Sequence, residues 1–334
     1  MLEGFYVKTV DIRKSFEREL ISAFLAEHGL KLDNDVEVAF GVFDWRSELQ
    51  ACGCAAKRML KCFAVAEKHR GKNILGSLLS VLIQNRFAAG YVDLFITTRS
   101  TNKELFVNCG MFPLVETDGI CLLESIPDGP ERFAASLIQD GDNEKTIGAV
   151  VMNCNPFTKG HRALLEYASE KCDLLYVFIV EEDCSMFSVF DRIEMVRKGT
   201  LDLTNLRVAL SGPYMISNTT FPSYFFKEEE NVSDLQCKID LSLFAQRLAP
   251  NLGISIRFAG DEPFDPVTRK YNDVMRKKLP EYGINYCEIP RLRSKGEAIS
   301  ASRVRALIKE KGLCSEVLAL IPESTAQFLR DIML

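Results

Sequence analysis

Apolar and polar positions fall into two rhythms along this chain, and each predicts its own kind of element. Over residues 13–28, Phe16, Leu20, Phe24 and Leu25 recur on one side of the helical period, which predicts an amphipathic helix. Apolar stretches bounded by turn residues predict strands at 36–44, 48–57 and 58–65. A helix over 74–89, a strand over 91–97, a short helix over 102–108 and closing strands at 114–115 and 119–125 complete a first α/β domain. From residue 147 the rhythm becomes a regular alternation. Strands are expected at 147–152, 174–180, 206–210, 254–259 and 285–289, with helices at 162–172, 189–201, 234–248 and 268–279 between or beside them. Alternation of this kind predicts a doubly wound parallel sheet. Right-handed crossovers then bring the loops at Asn155, Glu181, Ser211, Gly260 and Arg291 to one edge. Pro127, Gly129, Pro130 and Gly141 mark a passage between the halves around a short helix at 133–138. The expected division is a domain at 1–128, a linker at 129–146 and a domain at 147–334.

Composition narrows the class. With 334 residues, 47% hydrophobic and 26% charged, the chain is long enough for about two domains with proper cores. A net charge of −5 leaves no electrostatic footprint for nucleic acid. The opening Met1-Leu2-Glu3-Gly4-Phe5 lacks the basic start of a signal peptide. The longest apolar stretch, 74–83, is broken by Gly76, Ser77 and Ser80 and is too short for a bilayer. A cytoplasmic protein with no membrane partner is expected. The 11 cysteines then read mostly as small core residues, and Cys52-Gly53-Cys54 lacks metal or redox spacing. Cys154 differs only in lying within a loop of chemical interest.

That loop is Asn153-Cys154-Asn155-Pro156-Phe157-Thr158-Lys159-Gly160-His161, directly after the strand at 147–152. Pro156 ends the strand, because the residue before proline is pushed into extended geometry. Gly160 removes a side chain where backbone must approach a phosphate. The following helix begins with free N–H groups aimed at an anion. His161, on its first turn, can donate a ring N–H, and a protonated imidazole would add charge. Far downstream, Ile299-Ser300-Ala301-Ser302-Arg303-Val304-Arg305 repeats the device. Ser300 and Ser302 are cap-forming types, and Arg305 follows Ser302 by about one turn. A guanidinium there suits a departing pyrophosphate. Either segment alone reads more readily as an ordinary helix start with a solvated side chain. Together, in this order, they predict nucleotidyl transfer. His161 is the only histidine after His69, so this half holds no histidine pair for a metal or a Ser-His relay.

Thr158-x-Gly160-His161 resembles the (H/T)xGH signature of the nucleotidyltransferase superfamily, and Ile299-Ser300-x-Ser302-x-x-Arg305 resembles its ISxSxxR signature. With Thr158 in the first position, the site has a single imidazole. Asn155 to His161, Ser211-Gly212-Pro213-Tyr214-Met215-Ile216-Ser217, Thr220-Phe221-Pro222-Ser223-Tyr224-Phe225 and Gly260-Asp261-Glu262-Pro263 are similar to the citrate (pro-3S)-lyase ligase family. That resemblance implies a Rossmann-like domain that activates acetate with ATP as acetyl-AMP, releases pyrophosphate, and acetylates the prosthetic thiol of the citrate lyase acyl carrier. It implies His161 and Thr158 as donors to the α- and β-phosphates, Lys159 as a neutralising cation, and Ser300, Ser302 and Arg305 on the outer phosphates. Asn155, Pro156, Phe157 and Gly160 complete the nucleotide loop, and Gly260 and Asp261 line the adenosine pocket. Mg²⁺ is expected on the triphosphate, with Asp261 and Glu262 as outer partners. An adenylyl- or cytidylyltransferase acting on a phosphate monoester shares both motifs and stays open, as does a non-catalytic nucleotide sensor.

In the first half, Val65-x-x-x-x-Arg70-Gly71-Lys72-Asn73-Ile74-Leu75-Gly76 and Asn102-x-x-x-Phe106-x-x-x-Gly110 resemble motifs of the GNAT acetyltransferases. The resemblance implies that Arg70, Gly71, Lys72, Asn73 and Gly76 cradle a CoA-like arm, such as the one the carrier bears. It departs from that family where Asn73 and Leu75 stand for glycines. An acetyltransferase, a binding module and a structural relic are the three readings.

Overall fold

The structure, a computed structural model, describes residues 4–142, 145–181, 185–215, 229–263, 265–294 and 296–333, leaving aside the side chains of 229–233 and 333. The expected motif at Thr220 to Phe225 lies outside the described residues, as does Ser217. The chain forms two units, Met1–Gly129 with Thr220–Ser242, and Pro130–Thr219 with Leu243–Leu334. No helix among the described residues is long and apolar enough to cross a membrane.

The first unit is a mixed sheet with helices. Its elements are β1 (Phe5–Val10), α1 (Ser15–Glu27), β2 (Val38–Asp44), β3 (Leu49–Ala56), β4 (Met59–Val65), α2 (Ile74–Ala88), β5 (Phe95–Arg99), α3 (Lys103–Val107), β6 (Phe112–Thr117) and β7 (Ile120–Glu124). The strand order is β1-β2-β3-β4-β5-β7-β6, antiparallel except for β4 and β5, which pair in parallel only at Met59 and Phe95. β4 therefore leaves its neighbour and runs through the loop at 66–73 into α2, the strand-loop-helix order that the GNAT-like resemblance implies. β1 was not among the expected strands. It is an edge strand of six residues, FYVKTV, whose inward side chains Phe5 and Val7 are only partly buried against the core.

In the second unit α4 (Gly129–Leu137) precedes β8 (Ile147–Met152), α5 (Lys159–Ser169), β9 (Leu174–Ile179), α6 (Val189–Lys198) and β10 (Leu206–Leu210). After α7 (Glu229–Leu243), which belongs largely to the first unit, come α8 (Ala249–Leu252), β11 (Ile254–Gly260), α9 (Pro266–Lys278), β12 (Asn285–Ile289) and the two-residue strands β13 (Arg293–Ser294) and β14 (Glu297–Ala298). α10 (Ala301–Lys311), α11 (Ser315–Leu320) and α12 (Glu323–Met333) close the chain. The sheet is parallel throughout, in the order β10-β9-β8-β11-β12. β8 and β9 are buried almost completely, because helices cover both faces. Chain order reverses between β8 and β11, so a crevice opens past the carboxyl ends of these two strands, where ligands bind in folds of this kind.

The expected linker is part of this unit. Arg207 on β10 donates to the Leu137 carbonyl at 2.8 Å and pairs with Asp142, whose carboxyl it holds far below the usual carboxylate range. The division of the chain therefore differs from single breaks at 128 and 146: Pro130 onward joins the second unit, and Thr220–Ser242 joins the first. All described cysteines are free thiols.

Candidate active site

Asn155-Pro156 is a cis peptide at the mouth of β8, and Cys154 before it takes a left-handed φ of 52°. Arg192 of α6 lies beneath, with no exposed surface. Its Nη1 donates to the Asn153 carbonyl at 2.8 Å, to Asn153 Oδ1 at 2.6 Å and to the Val180 carbonyl at 2.8 Å, tying the loop to the end of β9. Cys154 is buried beside this guanidinium, and burial pushes its thiol pKa up, so it stays protonated as a packed group.

Thr158 caps α5, and the cap orients the imidazole. Thr158 Oγ1 accepts from the His161 backbone N–H at 3.3 Å, and the Thr158 backbone N–H donates to His161 Nδ1 at 3.1 Å. A backbone N–H only donates, so Nδ1 must accept and the neutral ring carries its proton on Nε2. Burial, then the charges of Arg291 and Arg305, lower the His161 pKa from 6.5 to about 4. The added positive charge that the sequence allowed is thus absent at neutral pH. His161 is a neutral ring with its proton on Nε2.

Thr158, expected to donate to phosphate, is buried and engaged in the cap, so it acts by positioning His161. Phe157, expected to contact the nucleotide, has no exposed surface and stacks on the His161 ring at 6.0 Å between centroids. Lys159 is not brought into the group: its Nζ donates to the Ala319 carbonyl in the last turn of α11 at 2.9 Å. A Cβ on Gly199 would stand 2.6 Å from Phe157 Cε1 and 3.0 Å from the Met195 carbonyl. Gly199→Ala should therefore push Phe157 off the imidazole and destabilise the protein by about 1–3 kcal/mol, measured by urea unfolding. An unchanged midpoint would show that the ring yields freely.

The second motif folds onto the first. Ser300 caps α10 by accepting from the Arg303 N–H at 3.2 Å. Arg305 donates through Nη2 to Ser302 Oγ at 3.0 Å and through Nη1 to the Asn155 carbonyl at 2.6 Å. The Ile299 carbonyl lies 3.4 Å from where a Cβ on Gly160 would be. The N-termini of α5 and α10, each rich in unbonded N–H groups, thus meet at the crevice beside Asn155 and Pro156.

On the β11 side, Gly260 faces open space and its carbonyl accepts from Asn272 Nδ2 at 3.0 Å. Asp261 Oδ1 accepts from the Arg291 N–H at 2.8 Å, and the Asp261 carbonyl accepts from Arg291 Nε at 2.7 Å. Glu262 pairs with Arg291 Nη2 and accepts from the Asp265 N–H at 3.1 Å. Both carboxylates expected near a metal are therefore committed to Arg291. No group of three or more metal-ligating side chains occurs among the described residues. Sequence reasoning put the Arg291 loop on this rim but gave the side chain no part; its only local signal is a cation just past Pro290, where a strand stops.

The loop at 66–73 lies in the first unit. Asn73 takes a left-handed φ of 55°, and its Oδ1 sits 2.5 Å from where a Cβ on Gly76 would be. Its side chain thus covers the first turn of α2. Arg70 pairs with Glu67 at 3.3 Å and Lys72 Nζ lies 3.4 Å from His69 Nδ1, while Gly71 makes the turn with φ 83°.

A family model described as the citrate lyase ligase C-terminal domain matches residues 147–329. The chain is 38% identical over 320 residues to the citrate (pro-3S)-lyase ligase of Klebsiella pneumoniae, covering 94% of this chain and 93% of that protein. It is 39% identical over 319 residues to the enzyme of the same name from Escherichia coli K12, covering 94% and 90%. A shorter likeness, 28% over 109 residues, links it to a phosphopantetheine adenylyltransferase of Clostridium botulinum, with 29% of this chain and 62% of that protein covered.

Proposed function

This chain belongs to the citrate lyase ligase family, and from that premise we propose that it is an ATP-dependent acetate–thiol ligase acting on the acyl carrier of citrate lyase. An acetate oxygen bonds to the α-phosphorus of ATP as the bond to the bridging oxygen breaks, and the electron pair leaves with pyrophosphate. The carrier's thiolate, its proton given to solvent, then attacks the acetyl carbon, and AMP departs with the electrons of the broken C–O bond. One observation carries this reading: Arg305, from the second motif, reaches the carbonyl of Asn155 in the first at 2.6 Å, which supports a shared polyphosphate site.

Positioning and charge stabilisation do most of the work in such transfers. His161 offers its Nε2 proton to phosphate oxygens without a change of charge. Arg305 and the two helix N-termini oppose the charge that gathers on pyrophosphate. Mg²⁺ would ride on the triphosphate and neutralise its charge, and Asp261 and Glu262, engaged with Arg291, would hold it only as outer partners. Gly260, with open space before it, suits the adenosine side.

Incubating deacetylated carrier with ATP, acetate and the protein, then weighing the carrier, tests the whole proposal. The expected result is a carrier heavier by one acetyl group, with pyrophosphate and AMP released. Pyrophosphate release with a phosphate monoester, and none with acetate, would instead make the protein an adenylyltransferase of the other kind. ATP binding without pyrophosphate from any acceptor would make it a sensor.

A further inference from the structure

We propose that Arg291 is a further catalytic residue of this site, a guanidinium held by the Asp261 carbonyl on one side and the Glu262 carboxylate on the other so that its remaining edge meets the phosphates beside His161 and Arg305. This rests on the nucleotidyl-transfer reading and adds a contact to it.

The Arg291 side chain is firmly fixed. Its Nε is bound to the Asp261 carbonyl at 2.7 Å, its Nη2 to Glu262, and its own backbone N–H to Asp261 Oδ1 at 2.8 Å. Asp261 is in turn fastened to the sheet, its N–H donating to the Ile289 carbonyl at 2.9 Å. A long side chain loses much rotamer freedom when pinned like this, and a surface residue gains little from it. Among the described residues Nη1 has no hydrogen-bond partner, and a quarter of the side chain (25%) remains exposed. The planar fork is thus presented edge-on with one donor face open.

The location agrees. Leu292, the next residue, accepts from the Ile299 N–H at 2.9 Å, and the Ile299 carbonyl lies against Gly160 in the first turn of α5. The turn carrying Arg291 is therefore laced to the start of α10 and through it to the His161 helix. The charge of Arg291 reaches His161: it ranks before Arg305 among the causes that keep the imidazole neutral. Glu262 offsets part of that charge, so the contact should contribute less than Arg305 does.

The test uses the full chain with Arg291→Gln and Arg291→Lys. Binding of inorganic pyrophosphate by calorimetry needs no acetate, and acetate-dependent exchange of labelled pyrophosphate into ATP reads the reaction. Arg291→Gln should weaken pyrophosphate binding and slow exchange, each by about tenfold, while the KM for acetate stays within about twofold. A lysine cannot satisfy Glu262 and a phosphate together, so Arg291→Lys should still bind pyrophosphate about threefold more weakly. Binding by Arg291→Gln within about twofold of wild type overturns the proposal. If that variant fails to fold, unchanged pyrophosphate binding by Arg291→Lys does the same. A structural clamp alone would lower the melting temperature without this selective loss of pyrophosphate. If the wild type binds pyrophosphate but performs no exchange with acetate, the acetate reading fails, and the binding arm still decides the role of Arg291.

Discussion

Replacing His161 with alanine should slow acetate-dependent exchange of pyrophosphate into ATP by about a hundredfold or more, with the fold intact. The physical reason is the direction of its proton. Nδ1 accepts from the Thr158 N–H, which leaves Nε2–H as the one donor of the ring. Alanine removes that donor but leaves the Thr158 hydroxyl bound to the backbone N–H of residue 161, so the helix keeps half of its cap. Exchange within a few-fold of wild type would take His161 out of the chemistry. Its pH behaviour gives a second check. With a pKa lowered to about 4 from an ordinary 6.5, the ring is neutral in the folded state over a range where the unfolded chain takes up a proton. The unfolded state then binds more protons, so stability rises with pH across that window. The contribution is complete above 6.5 and is lost as pH falls from 6.5 through about 4. His161→Ala should flatten this part of the stability curve, seen as a smaller drop in Tm between neutral and mildly acidic buffer. An equally steep drop in the variant would mean that other groups carry it.

Substituting Arg305 should be about as severe, for a different reason. Arg305→Gln is expected to reduce exchange by about a hundredfold or more, and Arg305→Lys to recover little of it. The guanidinium serves both halves of the cradle, donating to the Asn155 carbonyl at 2.6 Å and to Ser302 Oγ at 3.0 Å. A lysine keeps the charge, but its single nitrogen cannot span those partners and a phosphate in one plane. The loss should appear in turnover more than in the KM for acetate, because the charge on pyrophosphate develops as the bond breaks. Recovery by lysine to within a few-fold would mean that charge alone matters. A matching rise in the KM for acetate would place Arg305 against the acid instead.

Much of this was legible in local sequence. The strands at 206–210 and 285–289 agree to the residue with β10 and β12, because each is a short segment ended by turn-forming residues, Ser211-Gly212-Pro213 and Pro290. Both capped helix starts were visible too, since cap residues, glycine and proline act within a few positions of themselves. What escaped was of another kind. The edge strand β1 buries its inward side chains only in part, and the closing helices α11 and α12 were not anticipated at all.

The sequence by itself determined the parallel α/β half, the two motifs and the family. Only the tertiary structure decided which side chains are free to act. Lys159 is drawn to a carbonyl 160 positions away, and Arg305 to one 150 positions away. Thr158 and Phe157 turn inward to orient one imidazole, and Asp261 and Glu262 hold an arginine. Periodicity and capping are properties of neighbours along the chain. The occupancy of a donor or a carboxylate depends on which distant strands end side by side, and that is settled only when the sheet order β10-β9-β8-β11-β12 is in place.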